Sequence, residues 1–410
     1  MERIETVIVG GGQAGLATSY YLKQQGHEHV VLEGAAQAGN AWRNQRWDSF
    51  TLVTPNWTMR LPGAEYDGPD RDGFMSKEQI VSYFEEYVRR FALPVRYNTQ
   101  VLAVEPAGVG GYRVETSSGP IMANNVVIAT GVEQLPKVPE YAKALSPDIA
   151  QMHSSQYRNP RLLPEGAVLV VGSAQSGAQI AEELHQSGRN VYLSTSSAGR
   201  APRRYRGKDT VEWLMRLGFF DLTPDELPVP AETFVPPHLS GTNGGHTINL
   251  HQFARDGVIL LGHVRGVEGH RVFFAPDLYE NLGKADGFEM FGKQMIDGFI
   301  EANGIDAPVE EIQQMRDGFE QPLIEELDLR AEGINTVIWA TGYRYDYSLV
   351  KLPVFDQQGY PVQDRGVTAY PGLYFVGLFW APSIKPGTLA GVGDSARHIA
   401  ISIVGAPAYA

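Results

Sequence analysis

The first fifteen residues constrain the fold of this chain more than any other stretch. A β-branched run ending at Val9 leads directly into residues 10–15, which read Gly-Gly-Gly-Gln-Ala-Gly, and a helical pattern follows. In a G-x-G-x-x-G turn of this kind, Gly10 permits the tight turn, Gly12 lets the backbone approach a pyrophosphate, and Gly15 lets the helix pack closely on the strand. The free N–H groups of the helix N-terminus then face the negative charge. The pattern therefore predicts a strand, turn and helix that bind a dinucleotide.

An acidic residue follows at the position where dinucleotide-binding domains carry the side chain that binds a ribose. The next apolar strand ends in Glu33, about 20 residues after the turn, where a carboxylate hydrogen-bonds a ribose hydroxyl in dinucleotide-binding domains. Glycines alone are a weak signal, but glycines followed by this second strand and its acid are a specific one. The beginning of the chain is thus predicted to be a Rossmann-like domain with a bound dinucleotide.

A second unit of the same kind appears about 160 residues later, a spacing that suits a second domain better than a repeat array. An apolar strand at residues 168–171 enters residues 172–177, which read Gly-Ser-Ala-Gln-Ser-Gly, with the small Ala174 in place of the middle glycine. The strand that follows this turn does not end in an acidic residue. Hydroxyl and arginine side chains, which would bind a 2′-phosphate, are found there instead. The residues predicted to hold that phosphate are Ser194, Thr195, Arg200 and Arg204. NADPH is therefore the predicted ligand, although arginines in a loop also occur as an ordinary solvated surface.

The composition of the chain limits the functional classes to which it can belong. The chain has 410 residues, a net charge of −13 and no cysteine. Acids spread along the chain argue against a nucleic-acid partner, and the lack of an apolar leader or a long apolar run argues against a membrane location, so we expect a cytoplasmic protein. Without cysteine there is no disulfide framework, thiolate metal site or redox-active cysteine pair. His246 and His251 lack companions at ligand spacing, so no metal site is predicted.

Two apolar strands that end in Ala-Thr-Gly indicate how the domains are arranged. Thr130 and Gly131 end the first of these strands, and Thr341 and Gly342 end the second. We predict an α/β fold of two Rossmann-like dinucleotide-binding domains, the second inserted into the first. The predicted boundaries are 1–160 for the first segment of the first domain, 161–330 for the second domain, with an irregular insertion from about 206, and 331–410 for the remainder of the first domain. Helices are expected in the insertion at residues 209–217, 249–255, 285–303 and 309–317.

Together, the two glycine turns, the two Ala-Thr-Gly strands and a C-terminal Gly-Asp-Ser-Ala helix resemble the flavin-containing monooxygenases and their bacterial relatives. The resemblance covers most of the chain except about residues 206–329, and it implies FAD on the first domain and NADPH on the second. The implied FAD contacts are Gly10, Gly12, Gln13, Ala14, Gly15, Glu33, Trp42, Val101, Thr130, Gly131 and Leu389, and Thr341 and Gly342 are further implied cofactor contacts. The implied coenzyme contacts, beside the 2′-phosphate group, are Gly172, Ser173, Gln175, Ser176 and Gly177.

The same resemblance implies one catalytic residue and a linker. Asn56 lies near the asparagine that members of this family place beside the flavin, where its amide would hydrogen-bond the peroxide or the substrate. Residues 153–157 match the second half of the family's linker signature, and Tyr157 favours the branch that oxygenates nitrogen and sulphur. His153 is either a hydrogen-bonded linker residue or a direct participant in catalysis.

What the resemblance implies about activity is chiefly the chemistry of the cofactor. NADPH would reduce the flavin, the reduced flavin would capture O₂ as a C4a-(hydro)peroxide, and one oxygen atom would pass to a small organic substrate, a soft nitrogen or sulphur nucleophile. Three alternatives stay open: a Baeyer-Villiger or 2-oxo-acid monooxygenase, an NAD(P)H oxidase or reductase without substrate oxygenation, and a nucleotide-binding sensor. A flavin disulfide reductase is excluded because the chain has no cysteine to accept electrons.

Overall fold

Strands and helices alternate near the beginning of the chain and again in its middle, as in other α/β proteins. The computed structural model describes residues 1–108, 110–227 and 237–405. Its strands, numbered in chain order, are β1 (Glu2–Val9), β2 (His29–Leu32), β3 (Arg60–Leu61), β4 (Ala64–Glu65), β5 (Val95–Arg96), β6 (Val101–Pro106), β7 (Tyr112–Thr116), β8 (Ile121–Ile128), β9 (Leu135–Pro136), β10 (Ala150–His153), β11 (Ala167–Val171), β12 (Val191–Ser194), β13 (Arg204–Tyr205), β14 (Lys208–Asp209), β15 (Ile259–Leu261), β16 (Val264–Glu268), β17 (Arg271–Phe274), β18 (Glu326–Asp328), β19 (Ile334–Trp339), β20 (Tyr343–Arg344) and β21 (Leu373–Phe375).

The α-helices of the same residues vary widely in length. They are α1 (Gln13–Gln24), α2 (Asn40–Asn44), α3 (Lys77–Arg90), α4 (Gln175–Gln186), α5 (Thr210–Arg216), α6 (Leu250–Asp256), α7 (Leu278–Ala302) and α8 (Val392–Gly405). The start of α3 shows how local sequence sets a helix end: Ser76 and Gln79 bond each other's backbone N–H groups in a capping box. Within the described ranges, no helix is both long and apolar enough to cross a membrane.

The first sheet has seven strands in the order β5-β2-β1-β8-β7-β6, with β21 paired to β8. β1 runs parallel to β2 and β8, which places Val7 beside Val30 and Val126. Val7 and Val126 are fully buried, as expected where helices cover both faces of a parallel sheet. α1 packs against α8. The first and last helices of the described chain therefore belong to the same domain.

The second sheet has five strands in the order β10-β19-β11-β12-β15, and each pair is parallel. Every residue of its central strand β11 is buried, and α4 packs on β11 and β12. The first sheet takes strands from before this sheet, up to β8, and from after it, β21. The predicted α/β fold, with one Rossmann-like domain inserted into another, is confirmed.

The domain boundaries differ from the predicted ones. β10 and β19 pair in the second sheet, although the sequence placed residues 150–153 and 334–339 in the first domain. Each Ala-Thr-Gly strand lies beside the strand that precedes a glycine turn: β8 beside β1, and β19 beside β11. The second domain is therefore wider than residues 161–330. β9 and β20 pair next to these strands, so the two connections between the domains run side by side.

The insertion after residue 206 is more regular than its composition suggests. α5 and α6 confirm the helices predicted at residues 209–217 and 249–255, and α7 begins earlier than the predicted 285–303. The helix predicted at 309–317 is wrong, since this segment is irregular up to a 3₁₀ turn at Asp317–Glu320. Side chains tie it to the rest of the domain: Glu310 accepts the Arg206 N–H at 2.8 Å, and Ile312 packs on an apolar cluster. A helix of that length gains little stability alone.

Candidate cofactor and substrate site

The first glycine turn has the geometry that a dinucleotide requires. Gly10 has a φ of +109°, a conformation that favours glycine. A Cβ atom on Gly15 would lie 2.0 Å from the Gly10 carbonyl oxygen, so the helix fits against the turn only without a side chain. α1 starts after Gly12, and no side chain of the described residues caps it. Its first N–H groups are therefore open to an anion.

Glu33 is fixed beside this turn. One carboxylate oxygen accepts the Gly11 N–H and the other accepts the Ala35 N–H, each at 2.8 Å. A carboxylate offers about four acceptor sites, so both oxygens retain a lone pair for a ribose hydroxyl. The side chain thus lies where the sequence predicted a ribose-binding acid.

A cavity of about 720 Å³ begins at the turn and extends toward the second domain. Most predicted FAD contacts line it: Gly10, Gly12, Gln13, Ala14, Glu33, Trp42, Val101, Thr130, Gly131 and Leu389. The volume lies in the range of small-molecule sites. The glycine cradle, the open N–H groups and the placed carboxylate together fit a dinucleotide such as FAD.

The C-terminal loop closes this cavity, a contribution that the sequence indicated only through Leu389. Gly377 follows β21, and a Cβ atom there would lie 2.5 Å from the Ala14 Cβ. The Gln13 side chain donates to the Gly387 carbonyl at 2.9 Å, and both glycines line the cavity. Gln13 therefore joins the glycine turn to the C-terminal loop. In the sequence, the sign of this contact is Gly377, a glycine that follows an apolar strand.

Thr341 and Gly342, which are predicted to contact a cofactor, do not line this cavity. They follow β19, the second-domain strand next to β11. Gly342 accepts a hydrogen bond from His153 at 3.0 Å, and the Thr341 hydroxyl donates to the Lys137 carbonyl. Thr341 and Gly342 therefore lie beside the second glycine turn, just as Thr130 and Gly131 lie beside the first.

Asn56 is buried behind the cavity wall rather than in it. Its side chain donates to the Asp70 carbonyl at 2.9 Å, and it is not a lining residue. Its neighbours Thr54 and Thr58 do line the cavity, with their hydroxyl oxygens 2.8 Å apart. The catalytic role of Asn56 stays a prediction, and hydroxyl groups that sequence reasoning missed lie nearer the cavity.

An ion pair also lies in the cavity wall. Arg46 contacts Glu133 at 2.5 Å, and its guanidinium lies 5.3 Å from the Trp42 ring centre. All three residues line the cavity. Burial alone would lower the pKa of Arg46, but the Glu133 carboxylate raises it above its ordinary value. The pair holds Trp42 in place through a cation–π contact; nothing in the local sequence pattern predicted it.

His153 lies at the junction of the domains and not in the cavity. Its Nε2 atom donates to the Gly342 carbonyl, and its Nδ1 atom lies 2.9 Å from the Ser155 hydroxyl. Burial lowers the pKa of His153, so the ring is neutral at neutral pH. This arrangement favours the linker alternative. Tyr157 is fully buried and donates to Glu183 at 2.7 Å.

The second glycine turn repeats the geometry of the first. Gly172 has a φ of +103°, and a Cβ atom on Gly177 would lie 1.8 Å from the Gly172 carbonyl oxygen. No side chain of the described residues caps α4. Ser173 is buried and accepts the Ser196 N–H at 3.0 Å, while Ser176 is half-buried. The turn therefore fits a second dinucleotide.

Gln175, at the start of α4, binds the insertion. Its side-chain amide donates to the Leu239 carbonyl at 2.6 Å and accepts the Leu239 N–H at 3.0 Å. Both bonds are to the backbone, so this contact fixes the position of the insertion beside the second turn. The family resemblance implies that Gln175 contacts the coenzyme, and the structure adds this second contact with the insertion.

The four residues predicted to hold a 2′-phosphate do not come together. Ser194 and Thr195 are buried, and their hydroxyls donate to the carbonyls of Gly262 at 2.9 Å and Leu261 at 2.7 Å. Arg204 is exposed and donates to the Gly244 carbonyl at 3.1 Å. Of the four, Arg204 is the side chain that reaches solvent.

Arg200 forms ion pairs with carboxylates instead. It is 4% exposed and pairs with Glu289 and, at 2.7 Å, with Asp286. Both carboxylates lie on α7. The sequence did not place α7 against residue 200, because that contact spans a long loop with no local pattern. A phosphate would have to compete with two carboxylates for this guanidinium.

Three apolar residues of the insertion reach the cavity. Val211 and Met215 of α5, together with Phe220, line it opposite the first domain; we call these three residues the roof. The roof packs with Trp57 of the first domain in one apolar cluster. Thus the cavity is bounded by both domains. Within the described ranges, no group of three or more His, Asp or Glu side chains is placed to hold a metal ion.

Comparisons with known proteins agree with this geometry. Residues 7–216 match a family model described as pyridine nucleotide-disulphide oxidoreductase. The chain is 32% identical over 398 residues to a CzcO-like oxidoreductase of Geobacillus kaustophilus, covering 97% of each chain. It is 32% identical over 194 residues to an indole-3-pyruvate monooxygenase of Oryza sativa, covering 46% of this chain and 48% of the relative. A flavin-containing monooxygenase from Stenotrophomonas maltophilia has the same fold, with a TM-score of 0.67 and 21% identity over 99% of each chain.

Proposed function

Because the chain belongs to the pyridine nucleotide-disulphide oxidoreductase family and is a flavin-dependent monooxygenase within it, we propose that it uses NADPH to transfer one oxygen atom from O₂ to a small organic substrate with a soft nitrogen or sulphur atom. One observation carries the proposal. A single cavity starts at the FAD-type glycine turn and Glu33 and ends under the roof, which belongs to the coenzyme-binding domain. Cofactor and substrate would thus share one space between the two domains.

The residues of the first domain would hold FAD. The N–H groups at the start of α1 bind the diphosphate, and Glu33 accepts hydrogen bonds from the ribose. Trp42, held by Arg46, supports the wall of the cavity. When bound, the flavin accepts a hydride from the nicotinamide and activates O₂ for transfer.

The second domain would bind the coenzyme and help to exclude water. The N–H groups at the start of α4 bind its diphosphate, as those of α1 do in the first domain. The roof, Leu52 and Phe379 place apolar side chains on the cavity. Apolar walls keep water from the reacting atoms, which favours oxygen transfer over loss of hydrogen peroxide.

The test is product analysis with labelled oxygen. Holoenzyme, NADPH and ¹⁸O₂ are mixed with a panel of thioethers, amines and ketones, and products are identified by mass spectrometry. We expect one ¹⁸O atom in a sulphoxide or an N-oxide. Oxidation of NADPH with hydrogen peroxide as the sole oxygen product would support an oxidase instead, and labelled ester from a ketone would support the Baeyer-Villiger alternative.

A further inference from the structure

Residues 42–49, which we call the bridge segment, contact both the cavity and the second domain. Trp42 and Arg46 line the cavity. At the end of the same segment, the Ser49 hydroxyl donates a hydrogen bond at 2.6 Å to Glu183, which lies on α4. Since α4 begins at the second glycine turn, this bond joins the wall of the FAD cavity to the helix that is placed to bind the coenzyme.

Other hydrogen bonds hold the bridge segment against the second domain. The Asp48 N–H donates to the Arg158 carbonyl at 2.8 Å, and the Asn159 amide donates to the Asp48 carboxylate at 2.7 Å. The Arg158 guanidinium donates to the Asn44 carbonyl. Residues 158 and 159 belong to the connection between β10 and β11, two strands of the second sheet. The segment that carries part of the cavity wall is therefore attached to the second domain.

Glu183 uses both of its carboxylate oxygens in this joint. One oxygen accepts the Ser49 hydroxyl, and the other accepts the Tyr157 hydroxyl at 2.7 Å. Tyr157 is fully buried, and burial, together with the neighbouring carboxylate, raises the pKa of Tyr157, so its hydroxyl keeps the proton that it donates. Hydrogen bonds to a carboxylate are stronger than those between neutral groups. The Glu183 side chain is thus fixed between the bridge segment and a buried ring.

The position of Glu183 on α4 links this joint to the coenzyme site. The helix begins at Gln175, and Glu183 lies about 12 Å further along its axis. A regular helix behaves as a rigid element, so a contact at Glu183 also determines where the N–H groups at the start of α4 lie. A displacement of about 1 Å between reacting groups can slow a reaction by about 100-fold.

Glu182, the preceding residue of α4, has the same side chain and a different partner. It lies 2.7 Å from His246, which belongs to the insertion in the second domain. The Glu182 bond therefore stays within one domain, whereas the Glu183 bond to Ser49 crosses to the other. The two carboxylates differ in the domain that they contact, which makes Glu182 a matched control for Glu183.

Resting on the proposed coenzyme site at the second glycine turn, we propose that Glu183 is a positioning residue for hydride transfer. Through Ser49 it sets where α4, and with it the nicotinamide, lies relative to the flavin. Glu183 does not line the cavity, so it acts through the bridge segment rather than on the cofactors. The step that it serves is balanced: a C–H bond of the nicotinamide breaks, the hydride carries two electrons to the flavin, and NADPH, FAD and one proton give NADP⁺ and FADH₂.

The experiment measures reduction of the FAD-loaded enzyme by NADPH, in anaerobic rapid mixing. Glu183→Leu removes both hydrogen bonds at similar side-chain volume, whereas Glu183→Gln keeps an acceptor for Tyr157 and a donor for Ser49. We expect E183L to lower the rate of flavin reduction about tenfold or more while the Kd for NADPH changes by less than about twofold. E183Q should stay near the wild-type rate, and the control Glu182→Leu should leave the rate unchanged.

A spectroscopic readout separates a positioning role from a merely structural one. Reduced flavin and NADP⁺ that stack on each other produce a long-wavelength absorbance band whose intensity depends on their contact. We expect a weaker band in E183L at saturating NADP⁺ and an unchanged band in E182L. An equal loss of band and rate in E182L overturns the proposal, because that variant leaves the bond to Ser49 in place.

Ser49→Ala breaks the same contact from the first domain and keeps the test available if E183L does not fold. Ser49 is exposed, so we expect S49A to retain FAD, to be reduced more slowly by NADPH and to show a weaker band. A wild-type reduction rate in S49A overturns the proposal, whatever the result for E183L.

This proposal and the proposed function fail in different ways. If neither NADPH nor NADH reduces the wild-type enzyme, the proposed function fails, and the role of Glu183 falls with it. If the wild-type enzyme is reduced and forms an oxygenated product, while E183L and S49A are reduced at the wild-type rate, the proposed function stands and the positioning role is overturned.

Discussion

At the residue scale, the ion-pair and hydrogen-bond partners of a charged side chain determine whether it is available to bind a ligand. Arg200 and Arg203 are both buried, and each is paired with carboxylates. Arg206 pairs with Asp297 at 2.6 Å, while Arg204 is exposed and bonds backbone carbonyls. Residues that look alike in the sequence are therefore expected to respond differently to substitution.

Replacing Arg200 and Arg204 separately tests that expectation. Arg200→Ala leaves the Asp286 and Glu289 carboxylates without their cation, so we expect a loss of about 3–5 kcal/mol in the free energy of unfolding. Arg204→Ala should leave stability nearly unchanged and raise the KM for NADPH but not for NADH, by the equivalent of about 1.5–3 kcal/mol if it contacts the 2′-phosphate. Urea unfolding and steady-state kinetics measure both. If the R200A variant is stable and its coenzyme preference is altered, Arg200 binds the 2′-phosphate, as the sequence predicts.

His246 gives a prediction about pH. Its ring lies 2.7 Å from Glu182 on α4, and this hydrogen bond raises the pKa of His246. The bond therefore stabilises the fold fully below the unfolded pKa of about 6.5, and the stabilisation is lost as pH rises through the higher folded value. Unfolding free energies across this range should show a decline that His246→Gln removes. The same pH dependence in both proteins would rule out the contribution.

At the element scale, local pattern predicted each strand, turn and helix around the glycines, because those residues meet their turn within a few positions. Pattern did not predict which sheet β10 and β19 join, since parallel pairing is decided between distant strands. It also failed for residues 309–317, where Glu310 and Ile312 are held by the rest of the domain.

The two glycine turns offer a matched pair of substitutions. An added Cβ atom would lie 2.0 Å from a backbone oxygen at Gly15 and 1.8 Å at Gly177. We expect Gly15→Ala to lose FAD, measured by cofactor absorbance of the purified protein. Gly177→Ala should retain FAD and lose NADPH binding, measured by titration. Retention of FAD by G15A, or loss of FAD as the main effect of G177A, would contradict the assignment of the two turns.

At the scale of the whole molecule, the cavity lies where the inserted domain contacts the first domain, and residues of both line it. Ser49 donates to Glu183 at 2.6 Å, and Lys385 pairs with Asp221 at 3.0 Å, each across the domain interface. The sequence predicted two dinucleotide sites, but not the surface where they meet. That surface depends on α5 and on the segment around Gly241, whose Pro- and Gly-rich surroundings carry no periodic pattern.

The central claim is that both domains serve one oxygen-transfer site, and rapid mixing tests it most directly. Holoenzyme reduced with NADPH under anaerobic conditions is mixed with oxygenated buffer while the flavin absorbance is followed, with and without benzyl methyl sulphide. We predict a transient spectrum distinct from both the reduced and the oxidised flavin, which decays faster as the sulphide concentration rises. Direct conversion of reduced to oxidised flavin, with hydrogen peroxide released at a rate that the sulphide does not change, would contradict the account.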